Sequence, residues 1–335
     1  MLLGFSAWQG WVWWRWVSSP PLESSAVVKE VEIKIPPGTS TQQIGRKLED
    51  AGLIRSYYAW QLWARWLHLQ DPKGEFKAGT YQLSPTESLS VIASTIQQGQ
   101  EVERSFTIPE GWSLRQMSTY FEAQGFFPAK DFLAAASQIN RSQYPWLPTG
   151  LSNLEGFLYP DTYKLSSQAT PQAVVQQMLH QFEQKALPLY RQGQSQTRLN
   201  LLQWVTLASM VEKEAVVQQE RPLIAGVFVS RLRQGIPLAS DPTVEYALGI
   251  RQTAEHPLTL TQVKTPSPYN TYLNPGLPPA PIASPGLSSL KAALYPEHTS
   301  YLYFVARYDG THIFSRTLSA HEAAQASIRR QREGK

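Results

Sequence analysis

Two carboxylates stand two positions apart in Val211-Glu212-Lys213-Glu214, inside an otherwise apolar stretch. Leu201, Trp204, Val205, Ala208, Val211 and Ala215 recur at three- and four-residue spacing, which predicts a helix over 200–219. On that helix the two acids point about 200° apart, so one groove can take only one of them. Glu212 continues the stripe of Leu201, Trp204, Val205 and Ala208, where an ion pair or a capping role would suit it. Glu214 shares the neighbouring stripe with Leu207, Met210, Val211 and Val217. A carboxyl in such company loses hydration, which raises its pKa and keeps it protonated as a general acid near neutral pH. Spacing alone leaves a plainer alternative open, in which Glu212, Lys213 and Glu214 form a solvated face.

Three further clusters mix acids, amides and tyrosines. Glu155-Gly156-Phe157-Leu158-Tyr159-Pro160-Asp161-Thr162-Tyr163 is a loop punctuated by Gly and Pro. Ser240-Asp241-Pro242-Thr243-Val244-Glu245-Tyr246 begins with a turn that can also cap a helix. Ser267-Pro268-Tyr269-Asn270-Thr271-Tyr272 is followed by Gly276-Leu277-Pro278-Pro279 and Ser284-Pro285-Gly286. Such Pro-, Asn- and Gly-rich segments are loops, where functional residues collect once a scaffold fixes them. Glu155, Tyr159, Asp161, Asp241, Thr243, Tyr269, Asn270 and Tyr272 are the candidate substrate contacts. Ring faces suit sugars and polar groups suit hydroxyls, so a carbohydrate groove is the chemistry they fit. Ordinary turns with buried tyrosines remain the alternative for each cluster taken alone.

Other chemistries lack their equipment. The chain has no cysteine, which removes disulfides, thiolate zinc sites and a cysteine nucleophile. Its six histidines are scattered and form no His-Glu-x-x-His pair. No Gly-x-Ser-x-Gly elbow, phosphate-binding loop or dinucleotide fingerprint occurs, and neither a metal nor a cofactor is expected. A net charge of +4 spread along 335 residues argues against a nucleic-acid partner, which needs a concentrated basic patch.

The elements that must hold these residues begin with an apolar run, Met1 to Val17, carrying five tryptophans. As a helix it would span about 26 Å, slightly short of a ~30 Å hydrocarbon core. With Arg15 and a tryptophan cluster at its outer end it is expected to be an inner-membrane anchor. A cleaved signal peptide is the weaker option because no small-residue cleavage site follows; a buried core helix is the other. Residues 18–31, rich in Ser and Pro, are expected to be a linker. Next comes an internal repeat: Ile35-Pro36-Pro37-Gly38-Thr39-Ser40 leads into Ile44, Leu48 and Gly52, and Ile108-Pro109-Glu110-Gly111-Trp112-Ser113 into Met117, Phe121 and Gly125, with a constant offset of 73 residues. Each copy reads as a short strand, a Pro-x-Gly turn, a capping Ser and a helix ended by Gly. Between the copies lie a helix with Trp60, Trp63 and Trp66, a strand at Lys77–Leu83 and a helix over 88–98. The repeat is either a packed β-α unit, which the pattern favours, or a LysM-like glycan-binding module over 32–100. Tyr301–Val305 and Thr311–Ser315 predict a hairpin, and a terminal helix follows from about Ala320.

From the anchor to the final helix the chain resembles the MltG (YceG-like) family of endolytic murein transglycosylases. The resemblance rests on Phe76-Lys77-Ala78-Gly79-Thr80-Tyr81, Glu155-Gly156 with Pro160-Asp161-Thr162, Ala208-Ser209-Met210-Val211-Glu212-Lys213-Glu214, and Val227-Phe228 with Arg231-Leu232. It continues through Asp241-Pro242-Thr243-Val244, Tyr269-Asn270-Thr271-Tyr272, Gly276-Leu277-Pro278-Pro279 and Tyr301-Leu302-Tyr303-Phe304-Val305. It implies an α+β fold: an N-terminal membrane helix, a LysM-like β-α module, then a mixed α+β catalytic domain over 101–335. It also implies a catalytic glutamate at Glu214. In related transglycosylases a hydroxyl residue follows that glutamate, whereas Ala215 stands here.

The implied reaction cuts the bond between N-acetylmuramic acid and N-acetylglucosamine in glycan strands, leaving a 1,6-anhydro end. One glutamate serves as acid and then base, because the substrate's own C6 hydroxyl is the nucleophile. Such an enzyme, outside the cytoplasm, would terminate or trim nascent strands, and peptidoglycan synthases or division proteins are its candidate partners. Two rivals stay open: a non-catalytic membrane-anchored peptidoglycan-binding protein, and a hydrolase that adds water.

Overall fold

The computed structural model describes residues 2–22, 29–71, 74–99, 103–166, 169–253 and 256–333, so residues 23–28 of the expected linker lie outside the described residues. The chain divides into two compact units, Met1–Phe106 with Tyr163–Ala169, and Thr107–Thr162 with Thr170–Lys335.

The first unit contains helix α1 (Leu2–Ser18), strand β1 (Val31–Ile35), helices α2 (Thr41–Asp50) and α3 (Tyr57–Gln70), strand β2 (Gly79–Leu83), helix α4 (Leu89–Gln98) and strand β3 (Glu103–Thr107). Strands β1 and β2 run antiparallel, with Val31 opposite Leu83 and Ile35 opposite Gly79. Ile35, Ile44, Leu48, Trp60, Tyr81, Ile92 and Ile96 form the core under this ribbon. Of the three tryptophans on α3, Trp60 is fully buried and donates to the Thr41 carbonyl at 2.9 Å, while Trp66 is exposed. Gly45 is what lets Trp60 in, since a Cβ there would come within 2.3 Å of the indole. Helix α1 packs Trp14 on Trp63, ring centroids 6.1 Å apart, and buries Val17 in the same core. Among the described residues no helix is long and apolar enough to cross a membrane.

The second unit adds α5 (Leu114–Ala123) and α6 (Ala129–Ala136) before the chain returns to the first unit as β4 (Thr162–Ser166), which pairs with β3. It then continues with α7 (Pro171–Lys185), α8 (Leu187–Gly193), α9 (Leu201–Glu214), α10 (Arg221–Gln234), α11 (Asp241–Leu248), α12 (Leu260–Val263) and α13 (Leu287–Leu294). The hairpin β5 (Tyr303–Ala306) and β6 (His312–Ser315) and helix α14 (Leu318–Glu333) complete it. The expected mixed α+β architecture is therefore present, with helices dominating and sheets reduced to two-stranded ribbons.

Helix α9 is the spine of this unit. Every residue from Trp204 to Val211 is buried, so its middle is wrapped on all sides instead of showing one apolar stripe. Trp204 donates its indole N–H to Leu290 on α13 at 2.9 Å. The helix ends five residues earlier than its spacing suggests: Ala215 leaves the helical region at φ −85° and ψ 116°. The stiff β-branched pair Val216-Val217 follows and disfavours another turn. Glu214 is thereby the last residue of the helix and not a residue of its middle.

Candidate functional site

That ending determines how Glu214 is used. Its carboxyl sits at the C-terminal, negative end of a helix, which disfavours ionisation. Burial disfavours it more strongly and lifts the pKa to about 7, with the nearby Asp241 and Glu245 pushing the same way. Two groups oppose the rise: the Ser240 hydroxyl, which donates to Glu214 Oε1 at 2.6 Å, and the Arg231 guanidinium. The result is an acid divided between its protonated and carboxylate forms near neutral pH, which is what a group that donates and then accepts a proton requires.

Ser240 occupies the N-cap of α11, where a serine hydroxyl normally accepts from its own helix; here it makes no such cap bond. It is held by a buried hydroxyl network instead. Its N–H donates to Thr271 Oγ1 at 3.0 Å, Thr243 Oγ1 donates to the Ser240 carbonyl at 2.6 Å, and the two threonine hydroxyls lie 2.9 Å apart. Asn270 braces the same loop, donating to the carbonyls of Val263 and Thr265 at 2.8 and 2.9 Å and accepting from Tyr272 N–H at 3.0 Å. Tyr272 donates its hydroxyl to Asp241 Oδ1 at 2.6 Å, and Gln252 donates to Oδ2 at 3.1 Å. Arg231 ties the approach to Ser240, donating to the Leu238 carbonyl at 2.7 Å while its guanidinium lies 4.9 Å over the Tyr303 ring.

A second raised carboxyl lies in a neighbouring cleft. Glu155 is buried, which lifts its pKa to about 7 against the hydrogen bonds that favour its charge. Its oxygens accept from the Leu114 N–H at 3.1 and 3.2 Å and from the Tyr246 hydroxyl at 3.1 Å. Tyr269 packs its ring 4.9 Å from that of Tyr246. The cleft above Glu155 measures about 390 Å³ and is walled by α5, by Lys213 at the end of α9 and by Pro242, Glu245 and Tyr246 of α11.

The remaining residues sort apart from Glu214. Glu212 accepts from Arg221 Nη2 at 3.1 Å and from the Gly286 N–H at 3.0 Å, so it joins α9, α10 and the start of α13 as a buried ion pair and cap. Asp161 accepts from Gln181 Nε2 at 2.6 Å and from the Thr162 N–H at 2.8 Å. Tyr159 is buried, which together with Glu110 and Asp161 raises its pKa. The structure thus brings Glu214, Asp241, Thr243, Asn270 and Tyr272 into one network, and Glu155, Tyr246 and Tyr269 into another. Sequence reasoning missed Ser240, Arg231 and Tyr246 as members. Ser240 carried a signal, since it opens a helix-capping motif, but nothing local says that its hydroxyl faces another helix. Among the described residues no group of three or more His, Asp or Glu side chains is arranged to hold a metal ion.

Comparison with known proteins covers nearly all of this framework. The model of the YceG-like family matches residues 33–327. An endolytic murein transglycosylase of Bacillus subtilis is 31% identical over 309 residues, spanning 88% of this chain and 84% of that protein. One from Streptococcus pneumoniae (strain D39) is 33% identical over 306 residues, which is 83% of this chain but 54% of that protein, so the chain spans about half the length of that relative. The crystal structure of a YceG-like protein from Listeria monocytogenes superposes with a TM-score of 0.60 at 32% identity, covering 89% of this chain and all of that one. The chain belongs to the YceG-like family.

Proposed function

We propose that the chain is an endolytic lytic transglycosylase of peptidoglycan, with Glu214 as its acid and base. The observation that carries this is a carboxyl at the end of α9 lifted to about 7 and held by Ser240, in a chain whose relatives are named endolytic murein transglycosylases. Protonated Glu214 donates to the oxygen bridging N-acetylmuramic acid and N-acetylglucosamine as that bond breaks. The carboxylate then removes the proton of the C6 hydroxyl, whose oxygen closes on C1 to give the 1,6-anhydro end. Asp241, fixed by Tyr272 and Gln252, eases the positive charge that develops on the sugar ring. No second protein nucleophile is needed. Mass spectrometry of murein digested by the purified chain tests this: anhydro-muropeptides are the expected product. A reducing N-acetylmuramic acid end would assign water as the nucleophile, and an absence of cleavage would leave a binding protein.

In the same proposal α1 holds the chain to the inner membrane with the rest outside the cytoplasm, a reading supported by the exposure of Trp8, Trp11, Trp13 and Trp16. A reporter fused after Lys335 should be active only in its exported form. Residues 32–100 position glycan in the manner of a LysM module without cutting it, and cell-wall synthases or division proteins are the partners such an enzyme would work beside.

A further inference from the structure

The cleft above Glu155 has an unusual charge lining. Arg115, Lys213 and Arg251 line it together with the acids Glu155 and Glu245. Both acids are engaged by protein donors: Glu155 by the Leu114 N–H and the Tyr246 hydroxyl, Glu245 by the Gln252 N–H at 3.0 Å. The cations are not matched in the same way. Among the described residues none of the three makes an ion pair, and the one hydrogen bond of a cationic tip is a long contact from Lys213 Nζ to the Gly111 carbonyl at 3.5 Å. Arg115 and Arg251 are exposed at the cleft wall. Three cations thus face two acids across a concave surface without a direct ion pair between them; that surplus of positive charge suits an anionic ligand, and planar guanidinium groups suit carboxylates best.

The position of the cleft narrows the ligand. Lys213 lines it and Glu214 is the next residue of the same helix end; Pro242, Glu245 and Tyr246 line it while Ser240, at the start of the same α11, holds Glu214. A glycan strand with its scissile bond at Glu214 would bring what it carries on muramic acid, a short peptide bearing free carboxylates, beside this wall. We propose that the cleft binds the acidic peptide substituent of the strand, so that the enzyme selects peptide-bearing glycan over bare glycan. This rests on the glycan-cleaving reading given above.

The test uses the full chain, wild type and Arg115→Gln/Arg251→Gln. Its substrates are purified murein strands and the same strands stripped of peptides by an amidase. The wild type should prefer the peptide-bearing strands in kcat/KM. The double variant should lose about tenfold on those strands, since an exposed charge contact is commonly worth a few-fold, and should keep its rate on bare strands. Equal cleavage of both substrates by the wild type, or an equal loss on both in the variant, overturns the proposal. Calorimetric titration of a soluble disaccharide-peptide gives a readout independent of catalysis: binding should weaken about as much in the variant and with added salt. If the wild type cuts neither substrate the cleavage reading falls, and this titration alone decides the cleft: retained, arginine-dependent binding supports the peptide site, and no binding removes it.

Discussion

The two copies of the repeated turn-helix unit solve the same local problem in the same way and end up in different circumstances. Ser40 with Gln43 and Ser113 with Gln116 form matching capping boxes. Gly38 and Gly111 adopt φ 79° and 77°, and Gly52 and Gly125 adopt φ 70° and 69°. The surroundings differ. A Cβ on Gly38 would meet nothing within 4 Å, whereas one on Gly111 would touch Glu212 Cγ at 3.5 Å and Lys213 Cδ at 3.8 Å. In the second copy the Gly111 N–H also donates to the Ser284 carbonyl at 2.8 Å, and the N–H of Leu114 binds Glu155. Local sequence therefore builds the unit, and what is packed against the turn decides whether it takes part in a site.

The comparison is sharpened most at its chemical end. Glu214→Gln keeps the shape of the side chain and removes only its proton chemistry. It should fold, with an unchanged circular dichroism melt, and release anhydro-muropeptides at least ~10²-fold more slowly. Glu212→Gln should lower stability with little loss of rate in the folded fraction, and a Glu214→Gln chain cutting at near wild-type rate would remove the site from the second copy's neighbourhood altogether.

Next in size is the pH dependence of stability. Glu155 and Glu214 have folded pKa values raised to about 7 from 4.5. Their stabilising protonation is complete below about 4.5 and is lost as the pH rises through 7, so urea midpoints should fall between pH 5 and 8. Glu155→Gln should flatten that fall by on the order of 2 kcal/mol; an unchanged slope would mean that Glu155 is ionised in the fold.

The glycines test the comparison directly. Gly38→Ala and Gly111→Ala each force a side chain into left-handed backbone, at about 1–2 kcal/mol apiece in urea melts. Only Gly111→Ala should also slow cleavage, because its strained turn is bonded to Ser284 and lies in van der Waals contact with Glu212 and Lys213, so a backbone adjustment there reaches the end of α9. Equal rate losses in both variants would break the distinction drawn here. Smallest is Ser240→Ala. Losing a bond that favours the charged form of Glu214 moves the basic limb of the rate profile to higher pH, with a rate loss of about threefold.

Much of this was legible in the sequence where the cause is local. The capping serines, the Pro-x-Gly turns, the hairpin and the opposite orientations of Glu212 and Glu214 follow from spacing and turn chemistry. The early end of α9 was hidden because the apolar spacing continues into Val217, and spacing does not register the stiffness of two valines in a row. Ser240 was hidden because its hydroxyl is used across 26 residues of chain, against the capping habit of its type. Asn270 and Thr243 read as polar residues of a loop; only packing reveals that their bonds run inward to hold that loop.

The return of β4 to the first unit has a consequence for anyone wishing to divide the molecule. Tyr163 and Leu165 are buried, with the Tyr163 ring stacked on Phe106 at 5.2 Å. A cut after Thr107 would strip β4 of its partner and leave an open strand edge bearing two apolar side chains, an invitation to aggregate. A cut just before Glu103 keeps the β3–β4 pair together but takes from the first unit two strands that cluster with it. A single break in the chain therefore cannot release both units whole.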